Sequence, residues 1–441
     1  MEQECYCGVS WVGLTCSRIT SDTDTEYETG DGKELELTTW VSVAESFAAR
    51  TRCRWPDENK IVHSHPIASQ MLTQRAVVPY LFKRKLLSEQ SIVDGDLAVV
   101  DASRRNLNFQ VISERGPCYL LKQGVGPDGI KTVSHEATVY QRLQSSTGNL
   151  GLDRYLPRFF EYDPKERVLI IEFLRDAQNL REYHDRIARF PTTIATAMGT
   201  ALGTLHRLNW MKGERGEDYN GLGIQPPWIL SIHRPDLGIL QHLSSATIQA
   251  IKIIQQFPEF CELLDSLRQE WTNETPIHFD IRWDNCLIVS RRSGSQKTDL
   301  RLVDWELAGV GDPCWDVGSV FNDYLSFWLG SIPITGETPP ERFLELARYP
   351  LRKMHPAIRS FWDSYIRRLE LDDVTSAEWL LRSVKYAAAR LVQTVYEGLY
   401  QSIKLPGNAV CSLQLSLNIL QRPHEASIQL LGLPLQSGTM R

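Results

Sequence analysis

The chain has 441 residues, 42% hydrophobic and 23% charged, which is ordinary for a globular protein of roughly two or three domains or a two-lobed enzyme with an extension. A formal charge of −6 argues against nucleic acid as the main partner, because phosphate backbones are bound through clustered Lys and Arg. No apolar run reaches membrane-spanning length, the opening residues (MEQECYCGVSW) lack a basic-then-apolar signal, and nine cysteines without a CxxC pair make no disulfide framework, so a cytoplasmic location is expected.

Residues 1–69 carry a weak pattern in which acidic, polar stretches such as SDTDTEYETGDGKELE alternate with short apolar pieces; this reads as an extension of unknown fold. Its cysteines (Cys5, Cys7, Cys16, Cys53) and His63 and His65 fit no common zinc spacing and read as free thiols and loop histidines. From Gln74 the signal sharpens. RAVVPYLFKRKLL has helical spacing interrupted by Pro79, and three strand-like runs follow: LAVVD, NFQVIS and CYLLK. A helix is predicted over about Ser134 to Leu143, then a strand in RVLIIEFL. These elements form a β-rich piece over residues 70–171.

Beyond Leu174 the chain turns helical. PTTIATAMGTALGTLHRL places Ile194, Met198, Ala201, Leu202 and Leu205 on one face. The stretch HFDIRWDNCLIV interrupts the helices, and NCLIV is predicted to pair with LRLVD across the loop SRRSGSQKT. Helical patterns resume in RFLELARYPLRKM, IRSFWDSYIRRL and EWLLRSVKYAAARLVQTVYEGLY, closing a helical piece over residues 172–423. Residues 424–441 read as a loosely held tail. The expected fold class is α+β: a bilobal, protein-kinase-like arrangement with a small β-rich lobe and a larger helical lobe carrying an inserted β-hairpin.

Phosphoryl transfer explains the interrupting stretch. It needs a carboxylate to orient the attacking hydroxyl, and an Asn and an Asp to hold magnesium against the phosphates. Asp280 can accept the hydroxyl proton, Asn285 starts a strand, and Asp304, at the end of LRLVD, returns beside it across the hairpin. Hard oxygens on adjacent strand ends suit Mg2+. Arg282 either stabilises charge on the transferred phosphoryl group or pairs with a nearby carboxylate.

HFDIRWDN followed by LVDWELAGVGDPCWDVGSVF resembles the aminoglycoside phosphotransferase and choline kinase superfamily. The resemblance, over about Arg75 to Arg422, implies an ATP-dependent kinase in which Asp304 binds magnesium. His278, Asp312 and Asp316 would be structural at the site, Asp316 fixing the catalytic loop through buried hydrogen bonds. It further implies that Lys122 binds phosphate and that Glu136, on the next helix, pairs with it. The loop between the first two strands (DASRRNLNFQV) departs from the family in lacking glycines, so Arg104, Arg105, Asn106 and Asn108 would hold phosphates with side chains. By chain order, Glu172, Phe173 and Leu174 would offer backbone groups to the purine.

Three phrases (FPTTIATAMGTALGTLHRL, SRRNLNFQV and VFNDYLSFWLGSIP) are similar to the phosphotransferase-like kinases of class V lanthipeptide biosynthesis. That implies a precursor peptide phosphorylated on Ser or Thr and a partner lyase that eliminates the phosphate to leave a dehydroamino acid. A small-molecule alcohol is the alternative acceptor, and a scaffolding pseudokinase the third reading. Phe327, Trp328, Phe361, Trp362 and Tyr365 either line a peptide groove or, as is commoner at helical spacing, form core.

Overall fold

The computed structural model describes residues 71–146, 150–209, 223–236, 243–290, 298–333 and 346–434. The N-terminal extension with its cysteines and the interior of the SRRSGSQKT loop, residues 291–297, therefore lie outside the described residues.

The small lobe is a five-stranded antiparallel sheet in the order β1 (Leu97–Asp101), β2 (Leu107–Ser113), β3 (Tyr119–Gln123), β5 (Val168–Glu172), β4 (Phe159–Asp163). Side-chain alternation divides it into two faces. Phe109, Val111, Tyr119, Leu121, Val168 and Ile170 pack under the helix α1 (Gln74–Lys83), with its Val77 and Leu81. Leu169 and Ile171, on the other face, join the main core with α3 (Gly126–Ser146). An apolar run buried on both faces is what a central strand requires, and β5 is that strand. A short helix, α2 (Glu89–Val93), precedes β1.

Two elements differ from expectation. The α3 helix begins eight residues before the expected Ser134, because Pro127 in GVGPDG falls in the first turn, where its missing N–H costs nothing. The strand β4 was not expected; it is only partly buried and bulged between Phe159 and Glu161, so it lacks alternation.

After β6 (Ala177–Asn179) and α4 (Leu180–Ile187), the large lobe is built on α5 (Thr192–His206), packed lengthwise on α9 (His355–Leu369). Gly199 and Gly203 make that approach possible: a Cβ on Gly199 would overlap Phe361 O and Ser364 Oγ, and one on Gly203 would press on Arg368 Cβ. Helices α6 (Ser245–Gln256) and α7 (Pro258–Gln269) lead to the short strand β7 (Thr275–Ile277), which pairs with β10 (Gly309–Gly311). Between them, β8 (Cys286–Ser290) and β9 (Thr298–Leu302) form the expected hairpin, with Cys286 opposite Leu302. The helix α8 (Pro313–Gly330) is buried almost all round, and α10 (Asp373–Gly398) and α11 (Gly407–Gln421) pack on it.

The small antiparallel-sheet lobe and larger helical lobe give the bilobal, kinase-like α+β fold. Two expectations are corrected and one open alternative is decided. Over its described residues, 422–434, the segment beyond Gln421 is not loose: α12 (Pro423–Gln429) follows, and Leu430, Leu431 and Leu433 are buried in the main core. Of the two readings of Phe327, Trp328, Phe361, Trp362 and Tyr365, core is the one borne out, since all five are buried. RFLELARYPLRKM is no long helix over its described part; Pro350 precedes a single turn at Leu351–Lys353.

Candidate active site

Strand alternation puts Lys122 on the sheet face opposite Leu121, turned toward α3. Its ammonium donates to both oxygens of Glu136, at 2.8 and 2.9 Å, and to Asp304 Oδ1 at 3.1 Å. Glu136 is 1% exposed, so this is a buried charge held by a partner rather than a surface pair. Burial works against the charge on Lys122, but the two carboxylates outweigh it and hold the ammonium above its ordinary pKa. Burial likewise opposes the charge on Asp304, and Lys122 overrides it, leaving that carboxyl below the usual range. One lysine thus joins the strand of the small lobe, its helix and the loop after β9.

Asp304 lies two residues past the end of β9, not on its last position, with φ of 68°. Phe279, beside the expected base, has φ of 70°. Two non-glycine residues in the left-handed region cost about 1–3 kcal/mol each and persist where their surroundings dictate them. Asp316 supplies that constraint for Phe279. It is fully buried on α8, and its carboxylate accepts the amides of His278 at 2.7 Å and Phe279 at 2.9 Å. His206 Nε2 on α5 stands 3.3 Å from the same carboxylate, and Trp315 Nε1 donates to Phe279 O at 2.8 Å. His278 itself reaches Val303 O through Nε2 at 3.0 Å, tying the loop to the residue before Asp304. Asp312 caps α8 through the Cys314 amide at 3.0 Å and meets Tyr386 on α10 at 3.1 Å. All three are placed as framework.

On this framework Asn285 donates Nδ2 to Asp280 O at 2.9 Å and to Asp280 Oδ2 at 3.1 Å. The donation turns its amide oxygen away from Asp280. That leaves an Asn oxygen and the Asp304 carboxylate as hard ligands, a donor set that suits a divalent cation completed by phosphate oxygens and water. Arg282 follows the ion-pair alternative: it meets Glu397 on α10 at 2.9 Å and stands 3.8 Å from Asp280 Oδ2.

The expected nucleotide contacts are placed less directly. Arg105 reaches across to Glu306, two residues past Asp304, with both oxygens 2.8–2.9 Å away. Asn106 corrects its expected role: its side-chain oxygen accepts the Val125 amide at 3.4 Å and packs against Gly129, pinning the β1–β2 loop to the start of α3. The Glu172 carboxylate accepts the Arg158 amide at 3.0 Å and its N–H goes to Arg158 O at 2.7 Å. Phe173 N–H goes to Cys118 O and Leu174 O accepts Ala177 N–H, while Leu174 N–H has no backbone partner among the described residues.

Two site groups escaped the sequence reading. Asp323 on α8 accepts the Trp283 amide at 2.7 Å, bracing the catalytic loop from below. Burial pushes its carboxyl up to about 7, against the lowering pull of Arg181, Arg390 and Arg282. Arg390 on α10 is buried beside Asp280, its NH2 3.7 Å from Oδ1. A charge inside the apolar runs VFNDYLSFW and YAAARLV was the available signal for both.

The model of the phosphotransferase enzyme family matches residues 96–338, more than half the chain. Solved structures similar to it include choline kinase LicA from Streptococcus pneumoniae (15% identity, 79% of this chain and 98% of that one, TM-score 0.41). A choline/ethanolamine kinase family protein from Mesorhizobium loti is 13% identical over 79% of this chain and 97% of that one, with TM-score 0.41. The amicoumacin kinase hAmiN, solved with AMP-PNP, Ca2+ and Ami, is 13% identical over 78% and 96%, with TM-score 0.45. No curated protein matches the chain. By its family match, the chain belongs to the phosphotransferase enzyme family and is an ATP-dependent phosphotransferase.

Proposed function

We propose that this protein transfers the γ-phosphoryl group of Mg–ATP to a hydroxyl oriented by Asp280. The observation that carries the reading is the pairing of the Lys122–Glu136–Asp304 cluster, drawn from β3, α3 and the loop after β9, with the Asp280–Asn285 pair of the β7–β8 loop, joined where Val303 N–H donates to Asn285 O at 3.0 Å. In the reaction the hydroxyl oxygen attacks the γ-phosphorus, the bond to the ADP oxygen breaks, and the hydroxyl proton passes to the Asp280 carboxylate. Lys122, positioned by Glu136, holds the phosphates. Asn285 and Asp304 would hold Mg2+, which neutralises phosphate charge when bound. Arg105 and the Leu174 N–H are the remaining nucleotide-facing groups. The same intact set argues against a pseudokinase.

For the acceptor, the likeness to class V lanthipeptide kinases supports Ser or Thr of a precursor peptide, with a lyase partner to eliminate the phosphate. A small-molecule alcohol is favoured by a different observation: the aromatic residues considered for a peptide groove are core. Among the described residues no helix is long and apolar enough to cross a membrane. A cytoplasmic setting, where ATP is abundant, accords with the reading.

The test is phosphate transfer from Mg–ATP, read by mass spectrometry, against Ser/Thr-rich peptides, aminoglycosides and small amino alcohols. Phosphopeptide formation supports the lanthipeptide-type role. Phosphorylation of an alcohol alone assigns a small-molecule kinase, and transfer to none of them overturns both acceptor assignments.

A further inference from the structure

We propose that Arg390 is a positioning residue for Asp280, its guanidinium restraining one carboxylate oxygen while Asn285 holds the other. The inference rests on the reading of Asp280 as the base. Arg390 is 4% exposed, and a buried guanidinium is costly unless something charged faces it. Its NH2 lies 3.7 Å from Asp280 Oδ1, and its charge also acts on the Asp323 carboxyl of α8. Its Nε is buried without a hydrogen-bond partner among the described residues. Among the described residues Asp280 is the carboxylate within ion-pair distance of the guanidinium.

One contact seats the guanidinium and another ties its helix to α8. It lies over the Trp315 ring, 5.4 Å from the centroid, and Trp315 is itself bonded to the catalytic loop through Phe279 O. One turn on, Thr394 Oγ1 bonds Arg390 O at 3.0 Å and accepts Asn322 Nδ2 of α8 at 3.3 Å. Helix, ring and loop therefore move together. Asp280 Oδ2 is meanwhile held by Asn285, with Arg282, which is bonded to Glu397, 3.8 Å from that same oxygen, so that Arg390 is the cation on Oδ1.

A carboxylate held at one oxygen still swings about its terminal torsion, which is broad and soft. Held at both, it presents a fixed edge to the incoming hydroxyl. Misplacing a base by about 1 Å costs about 100-fold in rate. At 3.7 Å the Arg390 contact is an ion pair rather than a hydrogen bond, which leaves the oxygen free to take a proton.

The experiment is a mutant cycle on the full chain: Arg390→Met, Arg390→Lys, Asp280→Asn and Arg390→Met with Asp280→Asn. The readout is phosphate release from Mg–ATP, with water standing in for the acceptor hydroxyl, together with KM for ATP and urea midpoints. We expect Arg390→Met to lower kcat about 10- to 100-fold with KM for ATP within about twofold. Lysine should restore much of the loss, and the Met substitution should add nothing in the Asp280→Asn background. Wild-type kcat in Arg390→Met overturns the proposal, as does a loss of equal size without the Asp280 carboxylate. If Arg390→Met does not fold, Arg390→Lys decides: an intermediate kcat at unchanged KM supports positioning, and wild-type kcat overturns it. A wild-type rate in Asp280→Asn, or no phosphate release by the unaltered chain, is the separate failure of the reading beneath.

Discussion

Removing the Asp316 carboxylate should unfasten the catalytic loop and cost more stability than most single substitutions. In Asp316→Ala the amides of His278 and Phe279, now bonded at 2.7 and 2.9 Å in a fully buried site, lose their acceptor. Each orphaned buried donor costs about 1–3 kcal/mol, and His206 loses a neighbour as well. Release of Phe279 from its left-handed conformation returns about 1 kcal/mol. The net expectation is about 1–5 kcal/mol, against a typical total of about 5–15 kcal/mol. Asp316→Asn keeps one acceptor oxygen and should lose about half as much. Urea denaturation of the three proteins gives the stabilities, and Mg–ATP turnover at a urea-free, fully folded temperature gives kcat. Both variants should lose kcat beyond what their folded fraction explains. An Asp316→Ala protein with the wild-type urea midpoint and kcat would refute the reasoning.

Other expectations follow from separate parts of the molecule. Lys122→Met strands the buried Glu136 charge and should cost about 3–5 kcal/mol. Adding Glu136→Gln should recover most of that stability in urea melts without recovering activity, and no recovery would contradict the pairing. Asp323, raised in the fold to about 7 from an ordinary value near 4, binds its proton more tightly folded than unfolded. Its contribution is therefore fully present below about pH 4 and is lost as pH rises through about 7. Asp323→Asn should flatten that part of the stability–pH curve, and an unchanged curve counts against a protonated Asp323. Gly199→Ala forces a methyl group onto the Phe361 carbonyl and should destabilise by about 1–3 kcal/mol, measured by thermal melting; a neutral result would deny the close α5–α9 approach.

What could be read from the sequence was whatever a local pattern sufficed to specify. The apolar run in CYLLK marked the strand, and the family resemblance marked Lys122 and Glu136 as a pair, which the hydrogen bonds between them match. The spacing from Asp280 to Asn285, followed by two apolar runs, was enough to set Asp304 across a hairpin. What escaped depends on distant partners. Asn106 looked like a phosphate ligand because nothing local shows that Gly129 leaves room for it. The residues after Gln421 looked loose because Pro423 reads as a breaker, whereas it opens α12 and Leu430 and Leu433 fill space left by other helices. Arg390 and Asp323 sit in apolar helical runs, where a charge signals burial with a partner but not which partner.

The most direct test of the account is single-turnover phosphate transfer from Mg–ATP by Asp280→Asn, with nucleotide affinity measured alongside. The variant keeps the volume of the side chain and an oxygen for the Asn285 amide, so the loop and the Lys122 site should be undisturbed. The account predicts nucleotide affinity within about twofold of wild type and a transfer rate lower by about 100- to 10,000-fold. Transfer at the wild-type rate would contradict it.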